Sequence, residues 1–300
     1  MTGPIATDSD LQLALAAFRA SAKHAVFEGK RYRMRYFTWG SGPPIIFIHG
    51  MADRARAFAM VMHQLVESHT CIAYELPDGT TDGSSLGHYL HSDYTDDLLE
   101  LLDHLDLPQT AVLGSSFGST IVLSALARKP ERFTHGILQG GFAHRPLNFA
   151  QRLLCRTAKH WSGWFADWPI FFRMALQKIE HSTFVQMPPK VSQFLLNNGQ
   201  LTPLVAAATR SLTFDRLDLR PLLPSIQTPM LLIGGDRDPL VARRYELEME
   251  QMLPRVRRIE LTECGHYPHY SHPVPMAEAM KSFLEDVKNG HPLKSTDNRP

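Results

Sequence analysis

Short, unbroken runs of apolar residues recur along this chain and dominate its hydrophobic pattern. They lie at 45–48, 71–74, 111–113, 136–138 and 230–233. Strands that are buried on both faces of a parallel sheet are apolar at nearly every position, so these runs predict buried parallel strands. The segment 31–37 instead alternates long polar and apolar side chains, which is the two-residue period of an exposed strand.

Segments with helical periodicity separate most of these strands. They lie at 8–22, 54–67, 92–106, 117–128, 241–252 and 275–288. In the first of them, Asp8, Ser9 or Asp10 can serve as the N-cap. The alternation of strand and helix predicts right-handed crossovers and therefore an α/β fold with a doubly wound, mostly parallel sheet.

One interval interrupts this alternation. Between the strands near 138 and 231 the chain has no convincing strand pattern, over a stretch far longer than a usual connection. It contains three of the four tryptophans and helical segments separated by prolines and a glycine. We predict that 145–224 is a helical cap inserted between strands, and that 1–144 and 225–300 together form the core.

Composition and charge exclude several classes of function. The chain has 300 residues with a formal net charge of +1, which offers no field to attract nucleic acid. The first residues lack the basic and apolar regions of a signal peptide, and no segment is apolar for long enough to span a bilayer. Its three cysteines do not suggest a disulfide framework. We therefore expect a cytoplasmic protein with a small-molecule substrate and no nucleic-acid partner; the oligomeric state is left open.

The segment 114–118 reads Gly-Ser-Ser-Phe-Gly and lies between an apolar strand and a helix. A nucleophile at a sharp strand-to-helix turn has a strained backbone, and glycines two residues before and after it remove steric conflict. Gly/Ser-rich turns also occur without any function. The flanking strand and helix favour catalysis, so we predict Ser116 as the nucleophile and not its neighbour Ser115.

A serine hydroxyl needs a general base, and His266 is the candidate. It lies on a loop after the strand-like segment 257–261. Because His266, His269 and His272 are spaced three apart, a metal site is the competing interpretation. Pro268 argues against a helix that presents all three on one face, so we favour the base and predict no metal site.

The residue that orients this base is predicted in the loop after the strand at 230–233. Asp236 and Asp238 both lie there and compete for the role. Either carboxylate could accept the proton on the far nitrogen of His266 and fix its tautomer. Both could instead be turn formers before Pro239.

An oxyanion hole is predicted where the strand at 45–48 ends. A glycine in the following His49-Gly50-Met51 segment lets backbone N–H groups approach a substrate oxygen. The predicted donors are the amides of Met51 and Phe117, and His49 is expected to form structural hydrogen bonds.

These motifs together resemble the α/β-hydrolase superfamily. The order Ser…Asp…His matches, as do the His-Gly pair at 49–50, the G-x-S-x-G turn, a G-x-x-D segment at 235–238 and the Gly-His-x-Pro at 265–268. The resemblance covers about residues 30–144 and 225–288. It implies an α/β-hydrolase core with a helical cap, and its G-x-x-D frame selects Asp238 over Asp236.

Departures from the family pattern narrow the expected activity. Epoxide hydrolases and haloalkane dehalogenases of this fold have an aspartate where this chain has Ser116, so we do not expect either activity. The nucleophile turn is similar to that of proline iminopeptidases, but the segment 49–52 lacks their His-Gly-Gly-Pro-Gly sequence. The overall arrangement of the motifs is also similar to that of maspardin, a binding protein of the same fold.

The sequence therefore predicts a serine hydrolase that forms an acyl-enzyme from a small, apolar ester, without a cofactor. Trp161, Trp164 and Trp168 are candidate substrate-binding residues, although they could instead form the core of the cap. A C–C bond hydrolase or an aminopeptidase would use the same triad. The alternative from another class is a non-catalytic ligand receptor or adaptor.

Overall fold

The computed structural model describes residues 1–164, 167 and 187–293, and its centre is one eight-stranded sheet. The strands in chain order are β1 (Lys23–Glu28), β2 (Arg33–Gly40), β3 (Pro44–Ile48), β4 (Thr70–Tyr74), β5 (Thr110–Ser115), β6 (Phe133–Gln139), β7 (Met230–Gly235) and β8 (Val256–Leu261). Their spatial order is β1-β2-β4-β3-β5-β6-β7-β8. The pairs β1–β2 and β2–β4 are antiparallel, and the remaining pairs are parallel. The predicted α/β architecture with a mostly parallel sheet is confirmed.

Helices flank this sheet. In chain order they are α1 (Asp8–Ser21), α2 (Ala59–His63), α3 (His91–His104), α4 (Phe117–Arg128), α5 (Phe149–Ala158), α6 (Pro189–Gln200), α7 (Leu204–Asp215), α8 (Arg243–Met252), α9 (Pro268–Ser271) and α10 (Pro273–Lys288). Within the described ranges, none of the helices combines the length and the apolar character that crossing a bilayer requires.

Alternate residues of the central strands face opposite layers of the molecule. Ile46 and Ile48 of β3 pack in one apolar cluster, which includes Leu98 of α3 and other residues of α3 and α4. Ile45 and Phe47 pack in a second cluster with residues of α1, α2 and α10. Because both faces are covered, the strands are apolar at every position, and this is why the runs in the sequence lack alternation.

The strand order places the ends of three strands at one edge. β3 and β5 are neighbours in the sheet, but the chain leaves β3 towards β4 on one side and leaves β5 towards β6 on the other side. The loops after β3 and β5 therefore lead away from each other. Gly114 near the end of β5 pairs in register with Ile48 of β3 and with Leu138 of β6. Ligands of open α/β sheets bind at such a reversal of strand order.

The local predictions fail at three places. The edge strand β1 has no counterpart among the predicted strands, because its residues alternate only between exposed and half-buried positions. The predicted helix at 54–67 is instead a 3₁₀ turn at Ala55–Phe58 followed by the short α2, and the amides of Gln64 and Leu65 end it by donating to carbonyls three residues earlier. The N-cap of α1 is Thr7, one residue before the predicted positions.

The described residues between β6 and β7 form the helices α5, α6 and α7. Asn148 caps α5 through a reciprocal capping box with Gln151. Among the residues described in this interval, the one strand-like feature is a single bridge between Trp164 and Pro203. The division into a core and a separate cap at 145–224 remains a prediction.

Candidate active site

Ser116 lies at the turn between β5 and α4, with φ of 50° and ψ of −113°. Residues other than glycine rarely adopt this backbone conformation, so the turn is strained. The N–H of Ser116 donates to the carbonyl oxygen of Gln139 on β6 at 2.8 Å. A Cβ atom at Gly114 would overlap with the carbonyl oxygen of Gly118, and one at Gly118 with that of Ile48. Close backbone contacts on both sides of the serine therefore require the two glycines.

His266 and Asp238 form a buried pair beside this turn. Nδ1 of His266 lies 2.6 Å from Oδ2 of Asp238, and the side chains are only 4% and 5% exposed. Oδ1 of Asp238 accepts hydrogen bonds from the amides of Leu240 at 2.8 Å and Val241 at 2.9 Å. Burial acts to raise the pKa of Asp238, but the charge and hydrogen bond of His266 and the two amides outweigh it, so this pKa is lower than usual. The carboxylate is therefore ionised, and both of its oxygens have hydrogen-bond partners.

The end of β6 connects the serine turn with the histidine loop. Nε2 of Gln139 donates to the carbonyl oxygen of His266 at 2.8 Å, and its Oε1 accepts from the hydroxyl of Ser115. The next residue, Gly140, has φ of 53°, and a Cβ atom there would lie 2.9 Å from Cε1 of His266. Gln139 is not among the residues predicted from the sequence, although a glutamine directly after the apolar run 136–138 signals a polar side chain at the sheet edge.

The loop after β3 is held by a neutral histidine. The amide of Leu76 donates to Nε2 of His49 at 3.1 Å, so Nδ1 carries the proton and donates to the carbonyl oxygen of Gly50 at 2.9 Å. Burial and the nearby charge of Arg210 keep the pKa of His49 well below its usual value. The N–H of Met51 belongs to the same planar peptide unit as this carbonyl and points the opposite way. His49 thus fixes the direction of that N–H, in line with its expected structural role.

A buried arginine on α7 reaches the same loop. Nη1 of Arg210 donates to the carbonyl oxygen of Met51 at 2.7 Å, and Nη2 donates to those of Leu76 at 3.3 Å and Pro77 at 3.1 Å. The side chain is 2% exposed. Burial lowers its pKa. Arg210 is not among the residues predicted from the sequence, because nothing local distinguishes it from a surface arginine.

A cavity of about 110 Å³ opens beside Ser116 and His266. Gly50, Met51 and Phe117 also line it. Phe117 begins α4, and a first-turn amide has no partner within its own helix. The apolar part of the wall consists of side chains from several elements: Phe142, Phe214, Leu240 and Val241. The site can therefore present a hydroxyl, an imidazole and two amides to one small ligand.

The tryptophans do not contribute to this wall where they are described. Trp161 is 50% exposed and Trp164 is 38% exposed, and neither lines the cavity. Phe142 in the loop after β6 and Phe214 of α7 line the cavity there. That the tryptophans contact the substrate remains a prediction. Trp168 lies outside the described residues.

The other two histidines of the 266–272 run have separate partners. Nε2 of His269 lies 3.3 Å from Oδ2 of Asp53, and Nδ1 of His272 lies 2.8 Å from the hydroxyl of Ser271. Across residues 1–164, 167 and 187–293, there is no cluster of three histidine, cysteine or carboxylate side chains that could hold a metal ion.

Comparison with known proteins yields a consistent group. A family model described as alpha/beta hydrolase fold matches residues 43–273. A strigolactone esterase of Pisum sativum is 24% identical over 261 residues, which cover 82% of this chain and 94% of that protein. A 2-hydroxymuconate semialdehyde hydrolase of Pseudomonas sp. (strain CF600) is 22% identical over 268 residues, covering 83% and 89% of the two chains.

Solved structures show the same fold. The crystal structure of a hydrolase from Pseudomonas aeruginosa PA01 superposes with a TM-score of 0.77 at 17% sequence identity. The match covers 87% of this chain and 98% of that one. At this level of identity the likeness is one of fold alone.

Proposed function

We propose that this chain, which belongs to the alpha/beta hydrolase fold family, hydrolyses esters through a covalent acyl-enzyme. The two relatives described above are also hydrolases. Ser116 is the nucleophile, His266 the general base and acid, and Asp238 the residue that orients the imidazole. The observation on which this proposal mainly rests is the buried 2.6 Å contact between Asp238 and His266, since His266 lines the same cavity as the strained Ser116.

In the first half of the proposed reaction, Oγ of Ser116 attacks the substrate carbonyl carbon while Nε2 of His266 takes the hydroxyl proton. The carbonyl oxygen becomes an oxyanion. His266 then gives the proton to the leaving alcohol as the C–O bond breaks, and the acyl group remains on Ser116. In the second half, water attacks this acyl-enzyme by the same proton transfers, which releases the acid and restores the serine.

The oxyanion is stabilised by the amides of Met51 and Phe117. Support comes from the peptide unit of Gly50 and Met51, which His49 holds in one direction, and from the position of Phe117 in the first turn of α4. The loss of one such donor costs on the order of 3 kcal/mol of transition-state stabilisation. No step of this mechanism uses a metal or an organic cofactor.

The proposed substrate is a small ester with an apolar part. Phe142 and Phe214 supply aromatic contact, and about 110 Å³ leaves room for several water molecules or a short chain. The segment 145–224 acts as the cap that supplies part of this wall, because Phe214 lies on α7 within it. A C–C bond hydrolase or an aminopeptidase would share the triad, and turnover of matched ester, amide and diketone substrates separates these activities.

A fluorophosphonate probe tests the nucleophile. We expect the wild-type protein to be labelled at one serine and Ser116→Ala to resist labelling, because the probe reacts only with an activated hydroxyl. Mass spectrometry of the labelled peptide gives the position, and Ser115→Ala is the matched control that should still be labelled. A wild-type protein that is folded and yet unlabelled would favour the non-catalytic receptor instead.

A further inference from the structure

Arg145 places a positive charge in the otherwise mainly apolar wall of the cavity. Its guanidinium carbon lies 5.9 Å from the ring centroid of Phe142 and 5.9 Å from that of Phe214. Nη2 donates to the carbonyl oxygen of Leu240 at 3.0 Å. All four residues line the cavity together with Ser116. Two aromatic rings and one carbonyl therefore hold the guanidinium plane at the edge of the substrate space.

Most of the hydrogen-bonding capacity of Arg145 is unused. A guanidinium has five N–H donors. Among the described residues, the bond to Leu240 is the one hydrogen bond of this side chain, and no carboxylate there lies within ion-pair distance of it. Burial lowers the pKa of Arg145, and the nearby Tyr245 and Asp238 offset only part of this effect.

The carboxylates that line or adjoin the cavity, in contrast, already have partners. Oδ1 of Asp53 accepts hydrogen bonds from the hydroxyl of Tyr270 at 2.8 Å and from the amide of Arg54 at 2.8 Å. Asp238 accepts from His266 and from two amides. Among the described residues, neither carboxylate forms an ion pair with Arg145, so its remaining donors can meet an anionic group of a ligand.

We propose that the natural substrate of this site carries a carboxylate and that Arg145 binds it. This inference rests on the proposed function, because it assigns a second contact of the ester that Ser116 attacks. A planar guanidinium matches a carboxylate with two parallel hydrogen bonds. The cation–π contacts with Phe142 and Phe214 hold the guanidinium beside the cavity, and its other donors meet the anion without the loss of an existing ion pair. The apolar wall contacts the chain that joins the carboxylate to the ester.

Two matched pairs of esters test this proposal. On the acyl side, mono-p-nitrophenyl adipate is compared with p-nitrophenyl hexanoate, which has a methyl group where the adipate has the carboxylate. On the alcohol side, m-acetoxybenzoate is compared with phenyl acetate. We expect the wild-type kcat/KM to favour the acidic member of at least one pair by about 10- to 100-fold. We expect Arg145→Gln to reduce that ratio to about 1 and Arg145→Lys to retain part of it.

The ratio of kcat/KM between the acidic and the neutral ester of a pair separates substrate binding by Arg145 from a structural role of this residue. Arg145→Gln also loses the hydrogen bond to Leu240, two residues from Asp238, and a disturbance of that loop would slow both members of a pair equally. Arg156→Gln is the matched control, because it removes the same charge from an exposed position on α5. We expect it to leave the ratio at the wild-type value.

The wild-type measurement does not depend on how any variant folds. If fluorophosphonate labels Ser116 and the wild-type protein hydrolyses the neutral member of both pairs as well as or better than the acidic one, the carboxylate inference is wrong and the proposed function stands. The carboxylate inference is equally wrong if Arg145→Gln keeps the acidic preference. Absence of both labelling and turnover contradicts the proposed function, and the inference is then rejected with it.

Discussion

Ser116 keeps a backbone conformation that costs of the order of 1–3 kcal/mol for a residue with a side chain. Its surroundings hold it there through the hydrogen bond to Gln139 and through backbone contacts at Gly114 and Gly118 that leave no room for a Cβ atom. Ser116 lines the cavity in this conformation. The residue pattern predicts this turn, because so sharp a strand-to-helix turn needs a glycine two residues before and two residues after the serine.

The choice between Asp238 and Asp236 can be tested directly. Asp238 contacts His266, whereas Oδ1 of Asp236 accepts the amide of Cys264 at 3.0 Å and holds the turn. We expect Asp238→Asn to lower kcat by about 10⁴-fold, because the amide stabilises the wrong tautomer of the imidazole. Asp236→Asn, the control, should cost far less. Steady-state kinetics on one ester measures both, and equal losses would contradict the assignment of Asp238.

At the scale of the elements, a buried arginine joins α7 to the loops after β3 and β4. Arg210 donates to three carbonyls of those loops, one of them in the proposed oxyanion loop. Removal of this buried charge is costly, because it leaves several acceptors without partners. The position of α7 and the shape of the oxyanion loop are therefore coupled.

We expect Arg210→Met to lower the free energy of unfolding by about 2–4 kcal/mol and to reduce kcat on neutral esters. The physical reason is the loss of donors to Met51, Leu76 and Pro77, which leaves three carbonyls unpaired. Urea denaturation and steady-state kinetics measure the two effects. Arg216→Met, an exposed change at the end of the same helix, is the control. A variant at 210 as stable as the control would show that the carbonyl contacts contribute little.

For the elements themselves, the sequence predicted the central strands and most helices. It missed the edge strand β1, whose residues are exposed or half-buried, and it overestimated the length of the helix at 54–67. There the 3₁₀ turn Ala55–Phe58 and the five-residue α2 bury the apolar side chains that suggested one longer helix. Central strands leave a strong apolar signal, whereas the length of a short helix depends on its tertiary neighbours.

At the scale of the molecule, six histidines of the described residues have a pKa below the usual value, in each case mainly through burial: His49, His69, His91, His135, His269 and His272. The pKa values of His91 and His135 fall to about 4. In the unfolded chain such groups bind protons below a pH of about 6.5. Between a pH of about 4 and about 6.5, the unfolded state therefore binds more protons than the folded state, so stability decreases as the pH falls.

Two carboxyl groups act in the opposite direction. Burial raises the pKa of Asp97 and of Glu246 to about 7, so in the same pH range they are protonated in the folded state and ionised in the unfolded chain. Their effect increases stability in acid. Among the described residues, the six histidines therefore lower stability as the pH falls from about 6.5 towards 4, and these two carboxyl groups act against that loss.

We expect His135→Gln to weaken this pH dependence. Both ring nitrogens of His135 are buried without a hydrogen-bond partner among the described residues, so its protonation is unfavourable in the folded protein. Its removal should lower the slope of the unfolding free energy by up to about 1.4 kcal/mol per pH unit below pH 6.5. Denaturant titrations at several pH values measure the slope, and the exposed His88→Gln is the control. An unchanged slope would mean that His135 is protonated in the folded state.

The sequence by itself determined the central strands, the glycine-flanked serine turn and the order of the candidate residues. These features leave a direct mark on the residue pattern: apolar residues where both faces are covered, and glycine where a backbone passes too close for a Cβ atom. Only the tertiary structure decided which polar groups meet. Gln139 and His266 are 127 residues apart, and Arg210 and Met51 are 159 apart. How many partners a polar side chain finds, as with the single hydrogen bond of Arg145 among the described residues, depends on groups distant in the chain, and no local pattern encodes them.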